Sequence, residues 1–173
     1  KAAETIRSPS HDRYHIDMVL TKARQLADWC EIYQKGIDRR TLYPACCLHD
    51  LGRNDQNFHG RASIDASINR ARLILFDSGY NEKETEAICQ IISEHDQPEL
   101  APSNLEALIL KEADFLAGFG AWGIFRAIAW GIESGRSTKE IIATLSEKMP
   151  GRIRSLQLPP SKSIAWREWP VVT

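Results

Sequence analysis

The sequence predicts an all-α fold, a bundle of amphipathic helices, on three observations. Apolar residues recur at i, i+3, i+4 spacing in one segment after another, the period of a helix with one buried face. No segment alternates apolar and polar residues as a half-buried strand does. Asn81/Glu84, Ser103/Glu106 and Ser137/Glu140 each place a capping side chain three residues ahead of a glutamate, in front of an apolar run. With 173 residues, 43% of them hydrophobic and 26% charged, the chain is long enough for one domain with a substantial core.

The elements follow in order. From His15 to Cys30 the residues Ile16, Val19, Leu20, Ala23, Leu26, Ala27 and Cys30 form a single helical stripe. Asp12 precedes it, where a carboxylate suits a helix N-terminus. A turn near Gly36 leads to a second helix, Leu42 to Leu51, placed so that Pro44 falls in its first turn. Gly52 to Gly60 reads as a polar loop. Ala62 to Phe76 forms a third helix that stops at Ser78-Gly79, and Asn81 to His95 a fourth. Leu105 to Ala117 and the glycine-punctuated Gly120 to Glu133 are apolar helices, and a last one ends near Met149-Pro150-Gly151. The domain therefore spans 1–150. Residues 151–173 carry Pro159, Pro160 and Pro170 and four basic residues against Glu168, and read as an extended basic tail lying on the domain, with Trp166 and Trp169 as anchors.

The formal net charge of -1 gives no global pull toward nucleic acid or an anionic membrane. No apolar run approaches the ~20 residues of a membrane span, and the opening KAAETIRSPS has no apolar signal-peptide core. It also lacks an initiator Met, as a trimmed chain or a piece of a longer one would. Cys30, Cys46, Cys47 and Cys89 lie in helical patterns with no CxxC pair. They read as reduced thiols of a cytoplasmic protein rather than a disulfide framework or thiolate zinc site.

The chemistry gathers around a few residues. His49-Asp50 follows the apolar run Ala45-Cys46-Cys47-Leu48, and Asp114 sits in LEALILKEADFLAGFG, a helix apolar on nearly every side. An ionised carboxylate there is costly unless it is paired or binds a cation. His95 extends the inward face of Ile88, Ile91 and Ile92. A lone inward histidine is ordinarily a core residue, but inward His and Asp on several helices suit a divalent metal with open positions, from Mn, Mg, Fe, Co, Ni or Zn.

Taken in order, His15, His49-Asp50 in LHDLGR, and Asp114 in KEADFLAGFG match the H…HD…D signature. HDRYH at 11–15, FHGRAS at 58–63, IISEH at 91–95 and ADFLAGFGAWGIFRAIAWG at 113–131 extend the match over about residues 11 to 136. On these motifs the chain resembles the HD superfamily, and within it the small stand-alone bacterial phosphohydrolases. The resemblance implies a helical bundle with one metal between helices, held by His15, His49, Asp50 and Asp114. It also implies His49 and Asp50 as catalytic residues, and hydrolysis of a phosphoester or phosphoanhydride, above all of a nucleotide, by hydroxide generated at the metal. His59 and His95 are then either a second-metal pair or neighbours of the phosphate. His11 is a further site residue or an exposed helix-entry residue, and the two readings weigh equally.

Arg53, one turn past His49, is placed to reach phosphate. Arg126 is carried by the GIFR match. Arg61 and Lys111 fit surface ion pairs better, and Arg70 and Arg72 solvated surface. The chain departs from the resembling family's DADRLD segment, carrying Glu112, Phe115 and Ala117 where that family has aspartate, arginine and aspartate, so contacts around the metal set are expected to differ. The competing readings are an HD-type nuclease on single-stranded nucleic acid, which the charge balance and the lack of an aromatic-interleaved basic stripe count against, and a non-catalytic ligand-sensing module. Trp122 and Trp130 on the glycine-rich helix offer a face for a homodimer.

Overall fold

A computed structural model describes residues 11–33, 35–53, 60–97 and 101–169. His59, a site candidate from the sequence, lies outside them. All regular structure among the described residues is helical: α1 (Arg13–Ile32), α2 (Arg39–Leu48), α3 (Arg61–Asp77), α4 (Glu82–Glu94), α5 (Leu105–Leu116), α6 (Gly120–Glu133), α7 (Thr138–Ala143), a π-helical turn (Thr144–Lys148), α8 (Met149–Ser155) and α9 (Pro159–Glu168).

Helix α1 buries Ile16, Val19, Ala23, Leu26, Ala27 and Cys30, the expected stripe. Asp12 caps it by accepting from the His15 N–H at 3.1 Å. Helix α5 is the axis of the bundle, with α1, α2, α4 and α9 packed around it. Its buried Ile109, Leu110, Ala113 and Leu116 meet the core face of α1 and the Ile88, Ile91, Ile92 face of α4. The four cysteines are free thiols, three of them buried. No described helix is alone long and apolar enough to cross a membrane.

Two helix starts differ from expectation. Helix α2 starts three residues early, because Asp38 caps it by accepting from the Arg40 N–H at 3.0 Å; Pro44 consequently lies in the helix interior rather than its first turn. Helix α5 is capped by Asn104, not Ser103. The Ser103 N–H is committed to Glu94 at 2.7 Å, and Glu106 reaches the Asp38 N–H at 2.7 Å instead of closing a capping box. The capping boxes at Asn81/Glu84 and Ser137/Glu140 are both formed.

The larger difference is at the C-terminus, which is helical where an extended tail was expected. Pro159 and Pro160 open α9, where proline's missing N–H costs nothing. Trp169 is buried against Phe119 while Trp166 stays 45% exposed, so only one of the two anchors the segment. Glu168 of α9 pairs with the buried Lys22 of α1 at 2.6 Å. Glu112 of α5 accepts from the backbone N–H groups of Gln157 and Leu158, fixing the entry to α9.

Candidate metal centre

Two helix ends and two helix faces bring the donors together. His15 projects from the first turn of α1, His49 and Asp50 follow directly on α2, and Asp114 lies on the last turn of α5. The His15 Nε2 atom is 3.3 Å from His49 Nε2, 3.1 Å from Asp50 Oδ2 and 3.3 Å from Asp114 Oδ1. His49 Nε2 is 3.3 Å from Asp50 Oδ2 and 3.9 Å from Asp114 Oδ1. Donors bonded to one ion at ~2.0–2.2 Å stand ~3.0–3.5 Å apart by simple tetrahedral or octahedral geometry, so this spacing fits a shared cation. His15, His49 and Asp50 are almost wholly buried, and the Asp114 side chain is 26% exposed and faces the opening.

Orientation is fixed from behind. The His49 Nδ1–H donates to the Cys46 carbonyl at 2.8 Å, so Nε2 presents its lone pair to the cluster. His95, the residue after α4, repeats this with Ile92 at 2.7 Å, and its buried Nε2 lies 3.8 Å from Asp50 Oδ1. The Asp50 carboxylate is gripped on both oxygens, Oδ2 by His11 Nδ1 at 2.7 Å and Oδ1 by Arg53 Nε at 2.6 Å. Arg53 also donates to Asp96 at 2.7 Å. Gly52, between Asp50 and Arg53, lets α3 close on this segment. A Cβ there would meet the Ser63 carbonyl oxygen at 2.1 Å and the Ser67 nitrogen at 2.7 Å, while the Gly52 N–H donates to Ser67 Oγ at 2.8 Å.

The protonation pattern suits a cation. Burial depresses His15 to about 4, so it is neutral and a lone-pair donor at neutral pH. Burial alone would raise the Asp50 carboxyl, but the charges of His49, Arg53 and His11 hold it well below the usual range. Burial would likewise raise Asp114; His15 and His49 override it and lower it. Burial pushes His49 down, and the charges of Asp50 and Asp114 overcome that and raise it. Imidazole lone pairs and carboxylate oxygens so crowded repel one another unless a positive charge lies among them. A divalent transition ion is what this donor set fits.

Two cavities open beside the cluster. One, of about 520 Å³, is lined by His95, Asp96, Lys111, Asp114, Phe115 and Arg152 among others. The second, of about 250 Å³, is lined by His11, Arg53, Asp114, Arg126, Trp130 and Arg152 among others. His11, His15, His49, Asp50, His95, Arg53, Arg126 and Asp114 are thus gathered in one place. Arg53 is occupied with two carboxylates rather than held open for phosphate alone. Arg61 pairs with Asp65 and Arg72 with Glu86 at the surface, as expected. Arg70 donates to the Leu51 carbonyl, and Lys111 to that of Gln97 at 2.8 Å. Sequence reasoning missed Asp96, and it took Phe115 only as a departure from the resembling family and Arg152 only as one of the basic residues of the tail. Asp96 carried a signal, since it follows inward His95 as a second His–Asp pair.

The described residues define an all-helical protein with a buried His/Asp cluster of the kind that could hold a metal ion. The HD domain profile matches residues 13–118, and the chain belongs to the HD domain family. No functionally curated protein matches the sequence. Among solved structures, it is similar to Bacillus subtilis YpgQ in complex with ADP, with a TM-score of 0.71, 20% identity, and coverage of 95% of this chain and 85% of that one. A Lactobacillus plantarum protein aligns with a TM-score of 0.73 at 21% identity over 99% and 87% of the two chains. An HD-superfamily hydrolase from Bacillus thuringiensis gives 0.67 at 24% identity over 94% and 80%. These likenesses establish the shared fold.

Proposed function

We propose that the protein is a metal-dependent phosphohydrolase acting on a small phosphorylated molecule, with a nucleotide as the best-supported substrate. The observation that carries this reading is the convergence of His15 Nε2, His49 Nε2, Asp50 Oδ2 and Asp114 Oδ1 beside a cleft lined with arginine. The ADP complex of YpgQ, a protein of the same fold, supports a nucleotide.

A divalent ion held by His15, His49, Asp50 and Asp114 supplies Lewis acidity toward a phosphoryl oxygen and toward water. The remaining work falls to the chain. Arg53 and His11 lock the Asp50 carboxylate so that one oxygen stays aimed at the cluster. His11, 12% exposed and lining the smaller cavity, is placed to pass a proton between Asp50 and solvent. Arg126 brings positive charge to the cleft, where negative charge grows on phosphoryl oxygens in the transition state. His95, edge-to-face with His49 at 5.0 Å between ring centroids, approaches Asp50 from another side, its Nε2 3.8 Å from Asp50 Oδ1.

The test is elemental analysis of the purified protein, followed by a panel of nucleoside mono-, di- and triphosphates with Mn, Mg, Co, Ni and Zn. Stoichiometric metal and turnover of a nucleotide are expected. Absence of both metal uptake and turnover across the panel would refute the reading.

A further inference from the structure

The two cavities beside the cluster meet at a short seam: Asp96, Asp114, Phe115 and Arg152 line both. Arg152 comes from α8, beyond the segment matched by the HD profile. Its guanidinium lies 4.4 Å from the centroid of the Phe115 ring, and Phe115 adjoins Asp114 in α5. Among the described residues it forms no hydrogen bond or ion pair, although the charges of Asp114 and Asp96 act on it. Arg53, by contrast, is committed to Asp50 and Asp96. Arg152 is therefore a pre-oriented planar cation with its donors uncommitted. It stands where a molecule must pass to occupy both cavities.

The cavities differ in what they can hold. The smaller collects Arg53, Arg126 and Arg152 next to the donor cluster, a concentration of positive charge suited to phosphoryl groups. The larger has Leu108, Phe115 and Leu156 alongside Gln97 and Lys111, a mixed apolar and polar wall suited to a flat organic group. A ligand with one phosphoryl group at the cluster would leave Arg152 without an anion. A ligand with two in series would place the second within the reach of a guanidinium at the seam.

Resting on the nucleotide reading above, we propose that Arg152 is the residue by which this protein selects substrates with two or more linked phosphoryl groups. Arg152 binds the phosphoryl group that is not at the metal cluster, and the organic group lies in the larger cavity. Phe115 holds the guanidinium flat, which cuts the ordering cost of each contact.

The experiment uses the full chain loaded with Mn and two probes, α,β-methylene-ADP and AMP, with binding measured by calorimetry for the wild type, Arg152→Gln and Arg152→Lys. The wild type is expected to bind the diphosphate analogue at least about tenfold more tightly than AMP, the scale of one charge-assisted phosphate contact. Arg152→Gln should lose most of that preference, and Arg152→Lys should recover part of it. Metal content and melting temperature, measured alongside, confirm that each variant is folded and loaded. Equal weakening of both probes, or unchanged preference in Arg152→Gln, overturns the role of Arg152 and leaves the nucleotide reading standing. A wild type that binds neither probe overturns the nucleotide reading, and the role of Arg152 with it.

Discussion

Replacing Arg53 with alanine separates the cation that the chain supplies to Asp50 from the cation the cluster is built to take. The Arg53 side chain is 9% exposed and makes bonds of 2.6 Å to Asp50 and 2.7 Å to Asp96. Removing one partner of a buried ion pair costs about 3–5 kcal/mol, because the remaining charge is left in a poor solvent. Asp96 is 38% exposed and rehydrates easily, and Asp50 keeps His11, which places the cost near the lower end of that range. At ~2–4 °C per kcal/mol for a domain of this size, Arg53→Ala should lower Tm by about 6–12 °C in chelator. Saturating Mn or Zn should narrow the gap to wild type, since an ion bound by Asp50 supplies the missing positive charge. The Asp50 pKa, held down partly by Arg53, should rise in the variant. Its stabilising contribution exists above the unfolded carboxylate pKa and is lost as pH falls through the folded one, so acid unfolding should begin at higher pH. Thermal melts with EDTA and with added metal provide the assay. An unchanged Tm in chelator, or an equal gap with and without metal, would refute the reasoning.

Other perturbations probe other parts of the site. Asp50→Ala should abolish metal-dependent hydrolysis while circular dichroism stays helical, because relief of a buried carboxylate offsets part of the lost contacts; full activity in the folded variant would place the chemistry elsewhere. Gly52→Ala should cost about 3 kcal/mol or more, since its Cβ would run into the backbone of Ser63 and Ser67 and push α3 away; a melt within 1–2 °C of wild type contradicts the close approach. Glu112→Ala should cost about 2–4 kcal/mol by leaving the N–H groups of Gln157 and Leu158 without an acceptor, and Glu112→Gln less, with hydrogen exchange at those two amides as the check. Metal affinity should fall as pH drops below the raised pKa of His49, because protons and metal compete for Nε2; a metal content flat from pH 8 to about pH 5 would contradict that assignment.

The helical class was legible in the apolar periods, and the gathering of His15, His49, Asp50 and Asp114 through the H…HD…D resemblance together with the setting of each residue. His15 opens a clear apolar stripe, His49-Asp50 ends an apolar run, and Asp114 is the one aspartate of an apolar helix. Gly120–Glu133 was legible to the residue, though α6 buries only Gly123 and Gly131 among its residues. Its glycines serve close packing: a Cβ on Gly123 would lie 2.1 Å from the Gly118 carbonyl carbon, and one on Gly131 2.4 Å from the Ile141 side chain. What was not legible depends on partners distant in sequence. That Arg53 binds Asp96 depends on how α2 and α4 pack, a separation of 43 residues. The C-terminal prolines misled because proline marks a helix start as readily as a helix break, and the seven-residue α8 is too short to show a period.

The C-terminal helices then bear on why the chain departs from the resembling family just where it does. Glu112, Phe115 and Ala117 all lie on the α5 segment that carries Asp114. Glu112 is turned away from the cluster to hold the backbone at Gln157 and Leu158, so this departure secures α9 rather than touching the ion. Phe115 puts a ring on α5 at the cleft, and Arg152 of α8 stacks upon it. Arg152 is thus carried not by the helix that positions Asp114 but by a segment tied down by Glu112 and followed by the Lys22–Glu168 pair. A cation carried on its own support can shift without moving a metal donor. On the role proposed for Arg152, that arrangement decouples recognition of the second phosphoryl group from the geometry of the His/Asp cluster.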